Sequence, residues 1–325
     1  STHEPFKSHE QKSGALHVVL GADGAAFETA RAAMERGHDA VVLVPRGAAS
    51  ARNFPADIRV QDLDDRKPEV LERRFRRATW VHYCSGTTAY PIDPEEPERL
   101  QRLVAATAQA GAKFLYCDAA FAYGRSDRPL SEDMPQRATD TLGHFLGALS
   151  QFVLAAHRNR RIEAIVARHG DLIGANVVRS PYGDEFTEHV MNGKGISVPG
   201  RKDAARSLTA TRDLGRAIIL LSEQQDATGQ IWHLPMVAPV SALRLVETLR
   251  SVAGLPILPA QAIHDTASRS ALGRMLSART KEKALSRLYE NPLHLLSTKF
   301  ERTFGMHAMA LKDAVHDMML SLTPA

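Results

Sequence analysis

Apolar positions along this chain switch repeatedly between strand-like runs and helical spacing. Residues 17–20 (HVVL) make a short apolar run, a turn Gly21-Ala22-Asp23-Gly24 follows, and Ala26, Phe27, Ala30, Ala33 and Met34 then share one face at helical spacing. Gly37 closes that helix, and residues 40–44 form a continuous, largely β-branched run of the kind that is buried on both faces of a sheet. The alternation continues with a strand at 58–60, a helix over 68–77, a strand at 80–84, a helix over 98–110 and a strand at 113–117. After Gly124 come a charged loop, an amphipathic helix over 141–157 and a strand at 162–167. Such a series predicts an α/β fold, a doubly wound parallel sheet of the Rossmann type with right-handed crossovers.

Beyond residue 170 the text changes. Residues 171–210 are rich in Gly, Pro and turn formers, with one short helix near 185–191. A helix from Asp213 and a strand at 230–234 return to the sheet pattern, and residues 241–325 read as mostly helical. The expected organisation is a disordered tail over 1–14, a Rossmann domain from 15–180 and 205–240, and a smaller substrate-side region from 181–204 and 241–325.

Composition narrows the function classes. The chain has 325 residues, 44% apolar and 24% charged, enough to bury a large core. Lys and Arg outnumber Asp and Glu by 41 to 37, a small excess that does not imply nucleic acid. The basic runs at Arg73, Arg74, Arg76, Arg77 and at Arg158, Arg160, Arg161 lack interleaved aromatics and read as solvated helix faces. Cys84 and Cys117 each close an apolar run and read as small buried hydrophobes, which suits a reducing compartment. No apolar run reaches the about 18 residues of a membrane helix, so the expectation is a cytoplasmic protein without a membrane partner. Fourteen histidines include no H-E-x-x-H pair and no Cys pair at finger spacing, so no metal site is expected.

A glycine turn after a first strand lets a pyrophosphate approach the unpaired amides of a helix N-terminus. With the strings VVLGADGAAF, VQDLDD, VHYCSG, YCDAAFAYG, ARHGDLIGA, RSLTATRDLGRAI and STKFERTFG in that order, the chain resembles the extended and atypical short-chain dehydrogenase/reductases, the group that contains NAD-dependent sugar-nucleotide epimerases and dehydratases. The resemblance places Gly21, Gly24, Ala25, Asp62, Leu63, Tyr83 and Arg168 along a dinucleotide. Phe27 stands where the third glycine of the family turn belongs. At the end of the second strand the chain has Val44, Pro45 and Arg46 in place of an acid, so NADP(H) is the expected cofactor and NAD the less favoured one.

The family's proton chemistry rests on a Ser and a Y-x-x-x-K pair, whose Lys lowers the Tyr pKa from about 10. Those positions read Ala119, Leu142 and Leu146, and no Tyr lies between Tyr123 and Tyr182 and no Lys between Lys113 and Lys194. Leu142, Phe145, Leu146, Leu149 and Val153 instead form an apolar stripe. Candidate replacements for the catalytic role are Asp118 beside the lost Ser, Tyr123, and His169 after Arg168. Asp118 equally reads as a loop cap, Tyr123 as a pocket wall and His169 as a packing residue.

On the substrate side the resemblance points to Asp171 and Arg206, and His144, about 200° round the helix from Leu142, is a further candidate that equally reads as a surface residue or one that supports the site from behind. A carboxylate at Asp171 opposes an anionic diphosphate unless Arg206 pairs with it, which favours a small, less anionic organic substrate over a nucleotide sugar. A homodimer through a helix pair that includes the Leu142 helix is an assembly that the resemblance allows. Three readings stay open: an NADP(H)-dependent oxidoreductase or epimerase/dehydratase-like enzyme with a non-standard proton donor; a catalytically inactive dinucleotide or metabolite sensor or scaffold; and a non-redox lyase, isomerase or cyclase in the same cleft.

Overall fold

A computed structural model describes residues 14–84, 92–267 and 285–322. The tail expected over 1–14 lies, Gly14 apart, outside the described residues, as do Ser85 and Gly86 of the VHYCSG string.

Seven parallel strands form the main sheet in the order β10-β6-β5-β4-β1-β2-β3. They are β1 (Leu16–Leu20), β2 (Asp39–Pro45), β3 (Val60–Leu63), β4 (Trp80–Tyr83), β5 (Lys113–Ala119), β6 (Ala164–His169) and β10 (Ile231–His233). Alternate side chains of one strand reach opposite cores. Val19 packs with helices α1 (Gly24–Glu35) and α6 (Thr211–Glu223), whereas Val18 and Leu20 pack toward α2 (Pro68–Phe75), α3 (Glu96–Gln109) and α4 (Thr141–Arg158). β1 and the other inner strands are therefore apolar on both faces, which is why their sequences are runs rather than alternations, whereas the edge strand β3 carries Gln61 and Asp62. Helix α6 approaches α1 closely because Gly215 carries no side chain; a Cβ there would lie 2.4 Å from the Glu28 carbonyl.

The Leu142 stripe behaves as its spacing requires: Leu142, Leu146, Leu149 and Val153 are buried in the core beneath α4. Cys84, just past the end of β4, and Cys117 on β5 are buried and unbridged, 3.5 Å apart.

The turn-rich stretch holds more structure than its composition predicts. Strands β7 (Asp171–Ile173) and β9 (Arg206–Ala210) join β11 (Val237–Val240) in a second, three-stranded sheet. Helix α5 (Asp184–Asn192) lies between them in sequence, and β8 (Ser197–Val198) pairs with β12 (His264–Asp265), a strand inside the region expected to be helical. Helices α7 (Ala242–Val252), α8 (Thr298–Phe304) and α9 (Leu311–Leu320) complete the chain. A third core, built on Ile173, Phe186, Leu208, Leu245 and Val315, unites these parts. Among the described residues no helix is long and apolar enough to cross a membrane.

Candidate active site

The carboxyl ends of β2, β4 and β5 open onto a cavity of about 710 Å³, a size typical of a small-molecule site. Its walls are Pro45 to Ala49, Tyr83, Ile92 to Pro94, Glu96, Arg99, Phe121, Val178 to Pro181, Ser197, Pro199, Leu285 and Tyr289. Residues of the glycine turn are not among the described residues that line it.

That turn is closed by the protein itself. The Gly24 amide donates to the Asn176 carbonyl at 2.9 Å, and a Cβ on Gly24 would lie 2.3 Å from the Ala175 carbonyl oxygen. Ala51 reaches the turn from the β2–β3 loop, its amide donating to the Ala22 carbonyl at 2.8 Å. The Asp23 carboxyl is buried at the helix start, where burial pushes its pKa up to about 6 against the opposing pull of the Arg179 charge and of the amides of Val178 and Ala25. A helix N-terminus attracts anions because its first amides are free. Here one amide is bonded, another faces a resident carboxylate, and Phe27 is packed edge-on to Phe54 at 5.5 Å. The turn does not fit a pyrophosphate.

The other residues expected along a dinucleotide are scattered. Arg46 lines the cavity, with its side chain 75% exposed and 3.7 Å from Asp64. Asp62 is exposed and Leu63 lies in the core, so neither reaches the cavity. Arg168, expected on the cofactor, is instead buried beneath the cleft: its Nε donates to Asp118 at 2.9 Å and its Nη2 to Ser150 at 3.3 Å. Tyr83 does line the cavity, and its hydroxyl donates to Glu96 at 2.5 Å.

Of the catalytic candidates, Asp118 is fully buried in its pair with Arg168, whose guanidinium also covers the Tyr123 ring at 4.6 Å. The Tyr123 hydroxyl meets His233 Nε2 at 2.5 Å, and His233 Nδ1 lies 2.8 Å from the Leu296 carbonyl. A carbonyl only accepts, so Nδ1 carries the hydrogen and Nε2 accepts the phenol proton. Burial pushes the His233 pKa down to about 3 and the Tyr123 phenol up, so both groups stay neutral and engaged.

His169 differs. Its Nδ1 lies 2.7 Å from the Gly170 carbonyl, which fixes the hydrogen on Nδ1 and leaves Nε2 with a free lone pair. Burial lowers its pKa, so the ring is neutral. It lines a narrow void with Ala119 and Asp171, and that void shares Phe121, Arg179, Ser180, Pro181 and Tyr289 with the main cavity.

On the substrate side, Asp171 and Arg206 pair at 2.7 Å, and the Tyr289 hydroxyl donates to Asp171 at 2.8 Å while its ring lies 4.1 Å under the guanidinium. Arg206 also donates to the Leu288 and Asn291 carbonyls, so it is consumed in holding the 285–291 segment to β9. His144 is exposed on the side of α4 away from Leu142 and Leu146.

Sequence reasoning missed Glu96, Arg99 and Arg179. Arg99 donates to Asp93 and Glu96, each at 2.7 Å. The acidic start of α3 carried a charge-pairing signal at i, i+3, but nothing local marks Arg179, which only the packing of the loop between β7 and α5 brings to the cleft.

A parallel sheet with a cleft at its carboxyl edge and a glycine turn after β1 defines a Rossmann-type protein. The sequence model of the NAD dependent epimerase/dehydratase family matches residues 18–234, and the chain belongs to that family. No curated protein matches the sequence. Among solved structures, UDP-glucose 4-epimerase of Thermotoga maritima, determined with UDP-glucose, is similar at 16% identity and TM-score 0.72, covering 95% of this chain and 100% of its own. An epimerase of Methanothermobacter thermautotrophicus is similar at 16% identity and TM-score 0.76, over 94% of this chain and 91% of that one. The Bordetella bronchiseptica enzyme WbmH, determined with NAD+, has 14% identity and TM-score 0.71, over 95% and 98%. These likenesses establish the fold.

Proposed function

We propose that this epimerase/dehydratase-like chain is an enzyme that moves protons rather than hydride: a non-redox lyase, isomerase or cyclase acting on a small organic molecule in the cleft, with His169 as the base. The observation that carries the reading is the fixed tautomer of His169, whose Nδ1 is held by the Gly170 carbonyl and whose Nε2 has no hydrogen-bond partner among the described residues, in a side chain that lines the void beside the cavity. A neutral imidazole is a competent base near pH 7, and positioned general bases contribute about 10²–10⁴-fold in rate. Asp118 and Tyr123 orient and support the cleft floor from within their buried pairs. The closed glycine turn supports leaving the dinucleotide out of the reaction, and the closed Asp171–Arg206 pair supports a compact substrate rather than a nucleotide sugar.

Two measurements test the reading. Fluorescence titration with NADPH and NADH is expected to show no binding at millimolar levels, and it tests in the same stroke the NADP(H) preference expected from Arg46. Incubation in D₂O with a panel of small keto and hydroxy acids, followed by proton NMR, is expected to show deuterium uptake at carbon beside the carbonyl, lost in His169→Gln by about 100-fold or more. Tight NADPH binding, or exchange that survives His169→Gln, overturns it.

A further inference from the structure

We infer that the cavity is built for an organic carboxylate, with Arg179 as the residue that takes the anionic group. The inference rests on the cavity being the ligand site.

It follows from the charge balance of the cavity wall. The two acids there, Asp93 and Glu96, are both bonded to Arg99, and Glu96 also accepts from Tyr83. Arg46 lies beside Asp64. Arg179 is half-buried and has no hydrogen bond or ion pair with any described residue; its charge acts on the buried Asp23 carboxyl and on Asp93, but neither forms an ion pair with it. A guanidinium partly withdrawn from water and unpaired favours a ligand oxyanion, which it binds through two parallel N–H donors.

Position gives the rest of the ligand. Arg179 lines both the main cavity and the narrow void that His169 also lines, so a carboxylate held by Arg179 lies on the His169 side of the cavity. Ile92, Phe121, Pro199, Leu285 and Tyr289 supply an apolar wall for a hydrocarbon body. The ligand class is therefore an acid with a compact apolar or aromatic body, not a polyphosphate.

Calorimetric titration at constant ionic strength tests this, using benzoate, phenylacetate and cyclohexanecarboxylate against the amide of each. The acids are expected to bind at least about tenfold tighter than the amides, and Arg179→Gln to bring each acid down to the level of its amide, with Arg179→Lys between. Equal binding of acid and amide by the unaltered protein sinks the anionic preference while leaving the cavity as a ligand site. So does acid binding that Arg179→Gln leaves unchanged. No binding of any acid at about 20 mM also sinks it, and because the acid–amide comparison needs no variant, a poorly folding Arg179→Gln does not rescue it. Dinucleotide binding, by contrast, would remove the proposed reaction without touching the acid–amide result.

Discussion

Asp118 and Arg168 face each other across β5 and β6 with no exposed surface on either side chain, and one atom of each, Asp118 Oδ1 and Arg168 Nη1, has no hydrogen-bond partner. Two buried charges repay their dehydration only when their remaining donors and acceptors are also satisfied. Removing one partner strands the other charge, so Asp118→Ala is expected to lose about 3–5 kcal/mol in urea denaturation. The double change Asp118→Leu with Arg168→Met is expected to cost clearly less than Asp118→Ala alone. A larger loss in the double variant would mean that the pair stabilises the fold outright. What the residues revealed beforehand follows the same physics: the missing Tyr and Lys are legible because the absence of a residue type from a whole stretch needs no coordinates. The burial of Asp118 was not legible, because a polar residue at a strand end reads the same whether its partner is a substrate or an arginine 50 positions away.

The β1–α1 turn is the element where expectation and structure part most. Gly21 and Gly24 stand where the fold needs them, but the space above Gly24 is filled by the backbone of Ala175 and Asn176. Gly24→Ala places a methyl against the Ala175 carbonyl and is expected to cost about 1–3 kcal/mol, read as a lower denaturation midpoint. A second consequence concerns Asp23. An acid whose pKa rises on folding binds its proton more tightly in the folded state, so its favourable contribution is complete below the unfolded value of 3.8 and is lost as pH rises through about 6. Asp23→Asn should therefore raise the melting temperature at pH 8 and give a smaller gain at pH 5. An equal gain at both values would show that the carboxyl is not the cause. The glycines of this turn were visible in the sequence; the loop that covers them was not, because it comes from residues 174–179 and meets the turn only in three dimensions. For similar reasons β7 and β9 were hidden: β7 is three residues long and interrupted by neighbouring glycines, too short for a period to declare itself.

Across the whole molecule, the buried histidines set the response to acid. His17 on β1 and His82 on β4 share a 2.8 Å hydrogen bond in the core; burial pushes His17 down to about 4 and His82 well below its ordinary value, while His233 falls to about 3. A histidine whose pKa is depressed on folding contributes stability that is complete above the unfolded value of 6.5 and is lost as pH falls toward the folded one. Between pH 7 and pH 5 the unfolded chain takes up protons that the folded chain refuses, at about 2 kcal/mol for each of His17 and His233. Asp23 works in the opposite direction over the same interval, returning about 1 kcal/mol. The histidines outweigh Asp23, so the unfolding free energy from urea melts is expected to drop from pH 7 to pH 5, by less than the histidines alone would give because burial also raises the pKa of Glu28, Glu96, Asp184 and Asp213, which return stability as they take up protons. A histidine resonance of the folded protein that titrates between pH 7 and pH 5 in proton NMR and is lost in His17→Gln would sink this account, because it would mean that a ring of the His17–His82 hydrogen bond, which joins two strands of the central sheet, is protonated in the core.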